Sequence, residues 1–273
     1  MLLSHQYSLL MVGFLSVLLT SNAWTQPPPM HNEKTVRTET CWIYPIINGI
    51  AAKQAYRSAS IHYNRQGRKS KMTLYNKRGQ TTKEYLYAYL PGQCETYQLL
   101  SDGSKFITAK EEYGQENKVT SHIRYKTDGG IDDKKLIEYN QAGKKIKEEY
   151  FVSNGNDLEQ VYVINYAHYN TGIRESYTNY TDQTRHAGAT QLDDNQLPTT
   201  YSQYASSGEL IRKIHYDRTP QGRLTSIKFL EPDESIQVRE DYEYNGSNMH
   251  CLVYDKDGKQ LVEHVMYQYD YYQ

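Results

Sequence analysis

The chain has 273 residues and a formal net charge of −1, with 28 Tyr against 4 Phe and 2 Trp. Length alone admits one or two domains. A mean hydropathy of −0.82 and the scarcity of Val/Ile/Leu runs exclude a doubly covered parallel sheet, and the balanced charge excludes a general, strongly basic nucleic-acid binder.

The first 23 residues carry no Lys, Arg, Asp or Glu. An apolar stretch at 9–19 is followed by the small residues Ser21 and Ala23, the pattern of a signal peptide over residues 1–23. The stretch falls short of the ~20 residues a spanning helix needs, so no transmembrane segment is expected after cleavage and the mature chain is secreted or periplasmic. Residues 24–60 open on Pro27-Pro28-Pro29 and contain one helix-like turn at 51–56. They read as a linker and an N-terminal cap, the atypical end that a repeat array needs.

Cys41, Cys94 and Cys251 are odd in number and lack metal-ligand spacing, which admits at most one internal disulfide and no zinc site. Cys41 and Cys94 are the preferred pair, being closest in sequence; the alternative is three buried thiols.

From residue 61 to 273 a Tyr-x-x-x-Gly unit recurs, at Tyr63/Gly67, Tyr75/Gly79, Tyr125/Gly129, Tyr139/Gly143, Tyr204/Gly208, Tyr242/Gly246 and Tyr254/Gly258, with a longer copy at Tyr216/Gly222. Asn or Asp often follows the Tyr. Such residues bond their own backbone two positions on, and Gly supplies the left-handed residue that closes a short hairpin loop. Gly67, Gly79, Gly143, Gly222 and Gly258 are therefore expected at structural turns. Between turns the chain alternates, as in 161–169, where Tyr162, Ile164, Tyr166 and His168 share one face. The expectation is an all-β domain at 61–273, an antiparallel meander of repeated hairpins in an extended, twisted or partly curled sheet. Residues 185–198 have no aromatic side chain and read as a long functional loop or a disordered one.

The run from Tyr216 through Asp217, Gly222, Arg223, Leu224, Thr225, Ser226 and Ile227, and the Tyr254-Asp255-Lys256-Asp257-Gly258-Lys259 copy, resemble YD-repeat (Rhs-type) proteins. A weaker resemblance is to MORN-like antitoxin repeats. The first likeness implies β-sheet shells on bacterial surfaces or in exported toxins, with carbohydrate binding; the second implies a toxin-masking role.

No nucleophile-elbow, zincin or P-loop pattern is present. His62 and His215 occupy the same slot of two repeats and read as strand surface. Asp132-Asp133 and Asp193-Asp194 read as solvated loop acids. Nine basic residues and no acid fall in 53–83, interleaved with Tyr56, Tyr63 and Tyr75, whereas 229–257 is mainly acidic. Cations beside aromatic rings suit an anionic, ring-bearing ligand. Tyr63, Arg65, Arg68, Lys69, Lys71 and Tyr75 are thus the candidate binding residues, with no catalytic residue, metal or cofactor expected. The expected function is non-enzymatic binding of an anionic polysaccharide or a protein partner at the cell envelope, without specific nucleic-acid binding. A periplasmic immunity protein that masks a toxin is the alternative, and a hydrolase with an unrecognised site comes third.

Overall fold

Alternating segments of 7 to 13 residues, each stopped by a tight turn, fold as successive antiparallel strands because period-two side chains fit a pleated wall with two different faces. The computed structural model describes residues 35–155 and 157–272. The strands are β1 (Val36–Tyr44), β2 (Ile46–Ile47), β3 (Ile50–Ala51), β4 (Tyr56–Tyr63), β5 (Lys69–Tyr75), β6 (Thr81–Leu90), β7 (Gln93–Leu99), β8 (Lys105–Tyr113), β9 (Val119–Tyr125) and β10 (Ile131–Tyr139). They continue with β11 (Lys145–Asn154), β12 (Asp157–Tyr169), β13 (Gly172–Asn179), β14 (Arg185–Leu192), β15 (Pro198–Ala205), β16 (Leu210–Arg218), β17 (Leu224–Leu230), β18 (Ile236–Asn245), β19 (Asn248–Tyr254) and β20 (Leu261–Tyr271).

The all-β class is as expected, but the sheet is closed rather than open. Strands β4 to β20 pair in chain order, each antiparallel to the next, and β1 inserts between β20 and β4, closing an 18-stranded ring. Thr40 faces Gln268 on one side and Ser60 on the other. Closure gives every strand of the ring a partner on both sides, so no strand of this sheet is left to template aggregation. Strands β2 and β3 form a small separate hairpin.

Two expectations are corrected here. Residues 24–60 are not a linker and cap throughout: β1 is a full member of the wall, and 51–56 runs from the end of β3 to the start of β4 without helix. Nor is 185–198 a loop. It forms β14, a turn, and the first residue of β15, with the Asp193 carboxylate accepting from the amides of Asn195 and Leu197 at 2.9 Å each. The signal peptide and the Pro27–Pro29 run lie outside the described residues.

The turns follow one chemical plan. Asn64 Oδ1 accepts from the backbone N–H of Gln66 and Arg68 at 3.0 Å each, and Asn76 and Asn140 do the same at their own turns. Gly67 then takes φ +73°, and Gly79, Gly143, Gly222 and Gly258 lie between +65° and +81°, a region costly for any residue with a Cβ.

Directly opposite residues in a ladder share a face, so register sorts every side chain. One face carries Tyr162, Tyr166, Tyr201, Tyr216, Tyr242 and Tyr267, whose phenols are all pushed up by burial. Side chains converge on the concave side of a ring and splay on the convex side, so this crowded face is the lumen wall. The other face carries Lys110–Glu112 (2.8 Å), Lys147–Glu149 (3.1 Å), Lys228–Asp217 (2.8 Å) and Arg239–Asp241 (3.2 Å). Between such pairs sit β-branched residues: Ile123, 8% exposed, stands between Lys110 and Lys134, whose alkyl stems can cover it.

Candidate binding site on the inner wall

Sixteen- to eighteen-stranded barrels are wide enough to enclose an aqueous channel, so the polar side chains of this wall are the candidates for contact with a ligand. The densest polar group lies on β10 to β15. Glu148 on β11, 8% exposed, receives Lys135 Nζ at 3.1 Å, Lys145 Nζ at 3.2 Å and the Tyr162 hydroxyl at 3.1 Å. Burial pushes its carboxyl up, but Lys145 and Lys135 outweigh burial and hold it below the usual carboxylate range. Glu148 is therefore an ionised group fixed from three sides.

Glu175 on β13 has the opposite setting. It faces Tyr166 on β12 and Gly188 on β14. Burial raises its carboxyl, and the Lys145 charge and the Tyr201 hydrogen bond offset this only in part. Tyr201 Oη donates to Glu175 Oε2 at 3.4 Å, and this bond passes over Gly188. A Cβ at Gly188 would lie 2.9 Å from both of those atoms, which explains the absence of a side chain at this position. Lys145 Nζ also lies 4.4 Å from the centre of the Tyr166 ring, so one cation serves Glu148 and an aromatic face together.

Rings continue this wall sideways. Tyr150 and Tyr162 stack at 5.1 Å, Tyr162 and Tyr177 tilt at 5.4 Å, and Tyr177 stacks on His186 at 5.9 Å. They flank one another along the ladder, within the 4.5–7 Å range of favourable aromatic pairs. Farther round on β9 and β10, Arg124 bonds Asp133 and lies 3.8 Å from Asp132; these acids are tied to a cation rather than solvated on a loop. The wall of β18 to β4 is acidic instead. Tyr242 donates to Glu240 at 2.5 Å and Tyr63 to Glu39 at 2.8 Å, and burial raises both Glu240 and Glu263.

The residues singled out in 53–83 do not form one face. Tyr63 and Lys69 are opposite one another and point inward, while His62 and Lys71 are opposite one another and point outward, a bulge at Ser70 separating the two pairs. Arg68 lies 5.2 Å from the Tyr89 ring and Lys69 acts on Glu111, both on the inner wall. Lys71 is neutralised outside by Glu84 at 2.5 Å, and Tyr75 is covered by Arg57 at 3.9 Å. Arg65 sits exposed at the tip of the β4–β5 turn. The Cys41–Cys94 pairing is also corrected: all three cysteines are free thiols. Four ladder spacings separate β1 from β7, roughly 19 Å, far beyond disulfide reach.

His62 and His215 lie on the outer wall beside Thr38 and Thr200, each at 3.4 Å. The inner-wall residues Lys135, Lys145, Glu148, Glu175 and Tyr201 had no signal of their own in the sequence. Only the alternation around Tyr162 and Tyr166 pointed toward them, and their convergence depends on which strands become neighbours.

No protein-family model and no curated protein matches this chain. Among solved structures it is similar to a porin-like protein from Bacteroides uniformis, with TM-score 0.47 and 11% identity over 87% of this chain and 99% of the other. Two TcdB2–TccC3 structures match with TM-scores of 0.22 and 0.20 and identities of 8% and 12%. They cover 81% and 78% of this chain but only 15% and 14% of theirs. No function follows for this chain from these likenesses.

Proposed function

We propose that the barrel is an exported, non-enzymatic binding protein of the cell envelope whose inner wall takes an anionic glycan. The observation that carries this reading is the Glu148–Lys145–Tyr166–Glu175–Tyr201 array. With Lys135 it offers two lysine ammonium groups, one ionised carboxylate, one carboxyl pushed up by burial and several phenol hydroxyls. Sugars need that mixture of hydrogen-bond donors and acceptors with an aromatic flank. Lys135 and Lys145 against Glu148 leave an excess cation, which favours a carboxylated or sulfated sugar over a neutral one.

The outer wall supports a water-facing barrel. No helix among the described residues is long and apolar enough to cross a membrane, but barrels cross with strands, so the outer face decides. A lipid-facing barrel needs an apolar band about 25 Å tall. Lys110, Glu112, Lys147, Glu149, Arg239 and Asp241 occupy the outer face of the strands here.

The test is a glycan array followed by calorimetry with the best uronic-acid or sulfated oligosaccharide. Lys145→Gln and Tyr201→Phe on the inner wall should each weaken binding about tenfold, the value of one charge-assisted hydrogen bond. Lys147→Gln, two residues along β11 but on the outer wall, should leave it unchanged. Binding that follows the outer substitution, or no saturable binding to any acidic sugar, contradicts the proposal.

A further inference from the structure

On the outer wall, away from the glycan-binding residues, β19 and β20 bring two histidines together. Nδ1 of His250 and Nε2 of His264 share a hydrogen bond of 2.9 Å. The His264 ring stacks on Tyr44, with centroids 4.4 Å apart and planes at 13°, and the two imidazoles are tilted by 40° at 5.2 Å. Met266 stands opposite His250 and Leu252 opposite His264, so the pair is fixed by the ladder and an aromatic partner. Glu243 on β18 stands opposite His250, and its charge reaches His264.

We propose that His250 Nδ1 and His264 Nε2 are a two-nitrogen site for a divalent transition-metal ion, Cu(II) first among them. The spacing selects the geometry. With metal–nitrogen bonds of about 2.0 Å, a 2.9 Å separation subtends roughly 90° at the metal, whereas a tetrahedral ion would need about 3.3 Å. A right-angle pair of imidazoles is the cis edge of a square-planar or tetragonal site, the arrangement Cu(II) and Ni(II) prefer, and Cu(II) stands highest in general affinity. Water completes the coordination, and the Glu243 carboxylate adds charge from the adjoining strand. Among the described residues no group of three or more His, Cys, Asp or Glu could hold a metal, so the protein's ligands here are the histidine pair. Both nitrogens need free lone pairs, so the proton of their hydrogen bond moves to the far nitrogen of its own ring when the metal binds.

The experiment is titration of the chelator-treated full chain with copper sulfate, followed by calorimetry and electron paramagnetic resonance. One equivalent should bind with hyperfine splitting from two nitrogens. His250→Gln and His264→Gln should each lose about 100-fold in affinity, because the second ligand of a chelating pair acts at high effective concentration. Binding to Zn(II) tighter than to Cu(II) overturns the geometric argument. Cu(II) retained at full affinity in the double variant puts the metal on thiols or the chain terminus and overturns the site. No binding at all means that the two nitrogens only share a proton. Should a variant fail to fold, protection of His250 and His264 from diethyl pyrocarbonate by Cu(II) in the unaltered protein, read by mass spectrometry, decides the same question.

Discussion

Replacing Lys145 by Met removes one of the two cations that hold Glu148 ionised and leaves Lys135 at 3.1 Å and Tyr162 at 3.1 Å. A hydrogen bond to a charged group contributes about 1.5–3 kcal/mol. With two partners remaining, the loss at pH 7 should be about 2 kcal/mol, or roughly 4–8 °C in Tm for a chain of this size. The pH dependence separates charge from packing. In the unaltered protein Glu148 is held below its ordinary value of 4.5, so its contribution is present above that pH and is lost as pH falls through the folded value. In the variant, burial faces only Lys135 and the carboxyl moves up. The deficit therefore narrows as pH falls below the ordinary value and on through the folded one. Urea unfolding at pH 7 and pH 4, compared at equal slope, should show the full deficit at pH 7 and a smaller one at pH 4. An equal deficit at both values would mean that Lys145 acts only by packing on Tyr166, and the electrostatic account of the site would fail.

Other substitutions probe separate parts of the wall. Glu240 is raised by burial, so the stability it gives is complete below its unfolded value and is lost as pH rises through the folded one. Glu240→Gln should therefore match the unaltered protein at pH 4 and exceed it in thermal unfolding at pH 8. Gly188→Ala places a Cβ 2.9 Å from Glu175 Oε2 and Tyr201 Oη, and should cost about 1–3 kcal/mol by overpacking while weakening glycan binding in calorimetry. Gly258→Val, at φ +65°, should lower the unfolding free energy by about 1–2 kcal/mol or more; an unchanged unfolding midpoint would refute the turn geometry. Burial raises all three thiols, so Ellman's reagent should find three thiols per chain without reductant, and only after denaturation.

Local chemistry was legible in the sequence, and long-range closure was not. Asn64, Asn76 and Asn140 with their glycines announce hairpins because an Asx turn and a left-handed residue are satisfied within five positions. The face shared by Tyr162, Ile164 and Tyr166 follows from period two alone. Strand β1 carries the same alternation, but its partners β20 and β4 lie at opposite ends of the repeat array, and no local pattern reports an edge that is filled from the far end of the chain. The basic run at 53–83 misled for a related reason. Period two alone would place Lys69 and Lys71 on one face, but the bulge at Ser70 turns them to opposite sides, so the one-dimensional charge density splits between the two walls. Residues 185–192 hid a strand in part because Glu175 and Tyr201 take up the space above Gly188, and the neighbours Ala187 and Ala189 are small, so the β-branched and aromatic alternation by which strands are usually recognised is missing.

The most direct test is a crystal structure of the mature chain with an acidic oligosaccharide bound at saturation. The account requires a closed ring with β1 between β20 and β4, and the sugar's anionic group within hydrogen-bond distance of Lys145 or Lys135, beside Tyr166. A sugar seated on the outer wall, an open sheet edge at β1, or an inner wall without sugar at saturating concentration would contradict it.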